Sequence, residues 1–298
     1  MNKRRGSRWF LCVLCVLVWT QPNAFDFGKL ADTVKKLDVN KALDIGKRLV
    51  ASTTEMSPEQ EAALGDDLTA RLLGAMRPLD DPMLQSYINR VGRWLSLQTE
   101  RPDLPWRFAV VDTDSLGAFA APGGNVIITA GLMRLMRDEN ELAGVLAHEI
   151  AHVVQKHHVK AIMKQARATL ARDAAANMAS KYIAKNPLVT EALMGAGMKI
   201  YSSGLDQSDE LAADTAGTII AARGGYDPLG LLLVLTTLDS IDADEPRSSL
   251  MFSTHPPTRE RIDRLAQIAD DTSIQYAGML LDDMRFTNVQ ARLFSSSD

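Results

Sequence analysis

Cysteine is nearly absent. The chain has two, Cys12 and Cys15, both near its start. Disulfides and thiolate metal ligands are therefore unavailable to the rest of the protein. Long apolar runs are missing too. The run at 9–19 is shorter than the ~20 residues a membrane helix needs, and the run at 229–238 reads as a buried core helix. Neither sign of charge dominates: 33 Lys and Arg stand against 37 Asp and Glu. A mildly acidic body with no long basic run argues against nucleic-acid binding. Histidine is scarce, with five in all, yet four of them fall between 148 and 158.

What is present is ordinary globular composition. Of 298 residues, 46% are hydrophobic and 23% charged, which excludes a disordered, collagen-like or coiled-coil chain. The length suits one large domain or two small ones. Lys3, Arg4, Arg5 and Arg8, the apolar run at 9–19 and the polar stretch at 20–24 match the three regions of a secretory signal. Cleavage after Ala24 is the expectation. Lipid attachment at Cys15 and an uncleaved anchor are the alternatives.

Residues 25–75 read as an N-terminal helical segment. Ser57-Pro58-Glu59-Gln60 is a helix start: a Ser cap, Pro in the first turn and Gln three residues on. Residues 82–97 form an amphipathic helix with Leu84, Tyr87, Ile88, Val91, Trp94 and Leu95 on one face. The runs at 108–111, 118–121 and 125–129 are β-type, and Pro122-Gly123-Gly124 is a turn. From 131 to about 238 the pattern is helical throughout. The fold class is mainly α with a small β-sheet ending in a hairpin (α+β). The C-terminal stretch 271–298 reads as a tail.

Residues 148–152 spell His-Glu-Ile-Ala-His inside this helical run. Two histidines four apart lie about 40° apart around a helix axis, one turn up. Both imidazoles reach one metal ion, and Glu149 beside them can deprotonate a water there. This is the zinc-hydrolase arrangement. A third protein ligand is needed. His158 follows His152 by six residues, which on a continuing helix puts it about 240° round and facing away. With Gln155 rather than Gly between them, the helix is expected to continue, leaving His157 and His158 near solvent at its end. The better candidate is Glu210, which shares a helix face with Asp214. One carboxylate can bind zinc while the other orients a ligating histidine. On spacing alone, a solvated acidic helix start is an equal reading.

The chain resembles the gluzincin metallopeptidases that include HtpX, the CAAX prenyl protease and the periplasmic proteases of outer-membrane quality control. The matching residues span roughly 80–270. They are Ala118-Phe119-Ala120 with Pro122-Gly123-Gly124, the helix from Glu141 to His152, Glu210 with Asp214, and Ser253-Thr254-His255-Pro256-Pro257 followed by Arg261-Ile262. The resemblance implies a gluzincin metallopeptidase fold over 76–270 and one Zn2+ per chain. It implies His148, His152 and Glu210 as zinc ligands, Glu149 as general base, and Asp214 as partner of a zinc histidine. His255 would lie by the metal, stabilising the oxyanion or closing the site at rest. Arg261 would lie near the reacting centre, with a surface arginine as the alternative. Ala118, Phe119, Ala120 and Ala121 would hold substrate by strand addition. Gly117 and Ala212 depart from the residues the family usually has there.

The expectation is an exported, periplasmic zinc endopeptidase acting on unfolded envelope polypeptides, outer-membrane proteins or their assembly machinery among them. No membrane-spanning helix is expected after residue 24. A latent protease closed by His255 and a zinc-holding chaperone or assembly factor are the rival readings.

Overall fold

A computed structural model describes residues 56–176, 188–241, 246–276 and 284–295. The signal-like start and the helical reading up to residue 55 lie outside the described residues.

Helix α1 (Pro58–Ala75) begins as the sequence predicts. Ser57 Oγ accepts from the Gln60 N–H, and Gln60 Oε1 accepts from the Ser57 N–H at 2.9 Å. Helix α2 (Pro82–Ser96) is capped by Asp81, which accepts from the N–H groups of Met83 and Leu84. Leu84, Ile88, Val91 and Leu95 are buried as expected, whereas Trp94 is 49% exposed. Ten residues on from Leu84, it has turned about 80° off that direction. Its indole N–H instead donates to the Gly224 carbonyl at 2.8 Å.

Three strands follow: β1 (Arg107–Val111), β2 (Ala118–Ala121) and β3 (Asn125–Thr129). The sheet order is β1-β3-β2. β1 runs parallel to β3, and β2 pairs with β3 as the antiparallel hairpin. Its turn uses Gly123 and Gly124 at φ +80° and +103°, backbone that side chains rarely adopt.

The helical run from 131 is interrupted. It comprises α3 (Ala130–Leu135), α4 (Glu139–Val154), α5 (His157–Ala176), α6 (Leu188–Ser203), α7 (Gln207–Arg223) and α8 (Gly230–Asp239). Beyond it lie α9 (Ser249–Thr254), α10 (Arg259–Tyr276) and α11 (Met284–Ser295). The stretch read as a tail thus carries α11, which buries Phe286, Val289 and Leu293 in the main core. No helix among the described residues is long and apolar enough to cross a membrane.

Strand alternation divides the interior in two. Phe108, Val110, Ala118, Ala120, Val126 and Ile128 face a core built with α2, α4, α7 and α8. Val111, Phe119, Ala121 and Ile127 face a second core built with α1, α5 and α6. Helix α4 belongs to the first core and α5 to the second, so the junction between them lies where the two cores meet.

Candidate metal centre

Helix α4 is set by Asp138, whose side chain accepts from the Glu141 N–H at 2.9 Å. Glu139 and Glu141 in its first turn suit the helix dipole. His148 and His152 then project from one side, with their Nε2 atoms 3.0 Å apart. Helix α7 crosses this segment at close range. A Cβ on Gly217 would sit 2.9 Å from the His148 Cα, so only glycine lets the backbones meet. That contact brings Glu210 to 3.5 Å from both Nε2 atoms. His255, the residue that ends α9, places Nδ1 3.0 Å from Glu210 Oε2. Donor atoms of His148, His152, Glu210 and His255 all lie within 4.8 Å of one another, and all four residues are buried.

Around this cluster the remaining site residues take distinct places. Asp214 Oδ1 lies 3.0 Å from His148 Nδ1. Arg261 donates from Nε and Nη2 to Asp214 at 2.8 and 2.7 Å, and its Nη1 lies 3.1 Å from Glu210. At 1% exposure Arg261 is an internal residue, not a surface one. Glu149 is buried. Its Oε1 lies 3.7 Å from His255 Nε2, and its Oε2 has no hydrogen-bond partner among the described residues.

The site's electrostatics follow from burial and these contacts. Burial opposes charge on His148, but the carboxylates of Asp214 and Glu210 beside it prevail and push it up to about 9. Burial and the charge on His148 push His152 well down. Burial pushes Glu149 up, against the pull of His255 and His148. Glu210 and Asp214 are held low despite burial, Glu210 chiefly by His255 and Asp214 chiefly by its bond from Arg261.

The histidines after the motif overturn one expectation. The helix does not continue past Gln155. Lys156 adopts φ +58°, and α5 starts at His157. Long-range contacts meet the chain at this break. Arg101 donates to the Val153 carbonyl at 3.0 Å and forms a two-bond ion pair with Glu61 at 2.8 and 2.9 Å. Lys156 Nζ lies 3.7 Å from the same carboxylate. His157 and His158 are consequently buried rather than near solvent. His157 Nδ1 lies 3.0 Å from His152 Nδ1, a partner for a candidate ligand that sequence reasoning missed. His158 stacks on Tyr201, 5.3 Å between centroids, and stands outside the four-residue cluster. Tyr201, also missed, donates to the Ala120 carbonyl at 2.8 Å.

The donor set fits a metal ion. Two imidazoles and a carboxylate within 3.0–3.5 Å match the ~3.3 Å that separates neighbouring ligands about 2.05 Å from a tetrahedral zinc. Two ring nitrogens face each other at 3.0 Å, and a buried carboxylate oxygen lacks a partner among the described residues. Both are what a bound ion and its water would satisfy.

Two histidines one turn apart on a helix, joined by a glutamate from a second helix, define a gluzincin-like metallopeptidase site. The chain belongs to peptidase family M48, whose family description matches residues 80–269. It is 32% identical to the beta-barrel assembly-enhancing protease of Yersinia pestis over 229 residues, covering 74% of this chain and 45% of that protein. The protein of the same name from Escherichia coli (strain K12) is 32% identical over 210 residues, 70% of this chain and 43% of its own. The chain thus spans less than half the length of these two relatives. The protease HtpX homolog of Salinibacter ruber is 31% identical over 240 residues, 68% of this chain and 80% of that protein.

Proposed function

We propose that this chain is a zinc-dependent endopeptidase of the bacterial envelope that hydrolyses unfolded or misassembled polypeptides, outer-membrane proteins among them. The observation that carries the reading is Glu149: a buried carboxylate, one oxygen of which has no partner among the described residues, beside a converged His148, His152 and Glu210.

His148, His152 and Glu210 would hold the metal. Zinc there would supply a Lewis acid and bring the pKa of a bound water towards ~7. Glu149 takes the proton of the attacking water and returns it to the leaving amine. Its raised pKa suits a group that must both accept and release a proton. His255 Nε2, on the Glu149 side of the cluster, donates to the oxyanion. Arg261 acts as a positioning residue, holding Asp214 and Glu210 in place. β2 sits at the sheet edge, where an extended substrate can add as a further strand. Such pairing reads backbone, so sequence preference is loose. The names of the relatives support the substrate class, and the signal-like residues 1–24 support export.

The test compares the purified full chain with Glu149→Gln for zinc content and casein cleavage. One zinc in each and cleavage in the wild type alone support the reading. Zinc in both and cleavage in neither point to a zinc-holding binding factor. A second reading, latency, draws on His255 lying within the ligand cluster. His255→Ala then raises cleavage, whereas an oxyanion role makes cleavage fall.

A further inference from the structure

We infer that the Tyr201 hydroxyl is an internal stand-in for substrate: it fills the hydrogen-bonding position on β2 that an extended polypeptide must take, so binding displaces it. The inference rests on the endopeptidase reading above and names the contact that substrate must break.

The register carries the argument. The Thr129 N–H donates to the Gly117 carbonyl at 3.0 Å, which makes these two a hydrogen-bonded pair of the hairpin. Along an antiparallel ladder such pairs alternate. Residues 119 and 121 therefore turn their backbone groups towards β3, while Ala118 and Ala120 turn theirs outward. Among the described residues, β2 has β3 as its sheet neighbour and no strand on its other side. The outward carbonyl of Ala120 is thus an acceptor for the N–H of an added strand. Tyr201 donates to that same carbonyl at 2.8 Å.

The ring is seated for this task. It stacks on His158, 5.3 Å away and 22° from parallel, and meets Phe119 edge-on at 6.5 Å. Its helix, α6, packs on α1, α5 and α9, and so lies over the strand from the second core. Phe119 and Ala121 share that second core with Tyr201, and all four residues of β2 are buried. The space between Phe119, His158, Tyr201, Thr254 and His255 is ≈10 Å³. That is room for about one water and not for a peptide residue. Substrate therefore pairs with the Ala120 carbonyl only when Tyr201 releases it.

Tyr201→Phe keeps the ring and removes the donor. The closed state then leaves the Ala120 carbonyl unpaired, and substrate has no hydrogen bond to break. The experiment uses the full chain carrying Glu149→Gln, stripped of metal, and follows fluorescein-labelled casein by anisotropy. Adding Tyr201→Phe is expected to tighten binding about two- to tenfold, the worth of one net hydrogen bond. In the chain with Glu149 intact and zinc supplied, the same substitution is expected to lower KM and leave kcat unchanged. Equal or weaker casein binding overturns the inference and leaves the endopeptidase reading standing. A lower kcat at constant KM also overturns it, by moving the hydroxyl's role to the transition state. Casein binding to neither protein overturns the substrate reading itself. A thermal melt of each variant confirms that the fold is kept.

Discussion

Arg261 and Asp214 are joined by two short hydrogen bonds in an environment where neither is more than 1% exposed. Asp214 in turn lies 3.0 Å from the Nδ1 of His148. A chain of three buried groups thus runs from α10 through α7 to a candidate metal ligand on α4. Arg261→Met removes both of these hydrogen bonds and leaves Asp214 with His148 as its remaining charged neighbour, which costs about 3–5 kcal/mol. Urea unfolding of the metal-free chain measures this loss. A cost under about 1 kcal/mol would mean that Asp214 finds another partner.

His157 gives His152 an outer partner in the same way, at 3.0 Å. Groups that orient a ligating histidine are worth about 10–100-fold in metal affinity. His157→Ala is therefore expected to weaken zinc by about tenfold, and His157→Asn by less, because its amide can still hydrogen-bond. Competition with a fluorescent chelator reads both. An unchanged zinc Kd in His157→Ala would show that the contact orients nothing.

Tyr87 and Tyr226 donate to buried Glu139 at 2.8 and 3.1 Å. Burial first, and the carboxylate beside them next, raises both phenols above their ordinary value of 10. The native state holds these protons while the unfolded chain releases them from about pH 10. The stabilisation is fully present below about pH 10 and is lost as pH rises from there towards the folded values. Urea midpoints are expected to fall steeply above about pH 10, and less steeply in Tyr87→Phe with Tyr226→Phe. At neutral pH each Phe costs about 1–3 kcal/mol, because Glu139 loses a donor.

Lys156 occupies left-handed backbone at φ +58°. Glycine relieves about 1 kcal/mol there, offset by the lost approach to Glu61. Lys156→Gly is expected to melt at or above the wild-type temperature with zinc binding intact. Lys156→Val, β-branched, is expected to lose about 1–2 kcal/mol and weaken zinc by displacing His157. A stable Lys156→Val with normal zinc affinity would show that the bend does not set the site.

The elements legible in the sequence are those with local causes. The capping box at Ser57, the β-type runs, the Pro122-Gly123-Gly124 turn and the spacing of His148 and His152 are each written in adjacent residues. The junction after α4 is not. Its contacts come from Arg101 and Glu61, distant in sequence, which meet the last turn of the helix. No Gly or Pro marks it, and reading the helix through it turned His157 and His158 outward. Glu210 was only half legible, because an acidic pair one turn apart also suits an exposed helix start. His255 and Arg261 sit 45 and 47 residues from Glu210 and Asp214, the carboxylates they contact, beyond any periodicity argument, and only the resemblance singled them out. The parallel pairing of β1 with β3 and the burial of α11 likewise depend on tertiary packing.

The exposures of His148, His152, Glu210 and His255 are 3%, 0%, 2% and 4%. This burial has a kinetic consequence. A chelator in solution cannot touch an ion held there until the fold parts. Extraction then has two stages in series, an opening that belongs to the protein and a capture that belongs to the reagent. Raising the chelator concentration speeds only the second. The time course of metal loss therefore reaches a ceiling, and the height of that ceiling is the opening rate of the cleft itself.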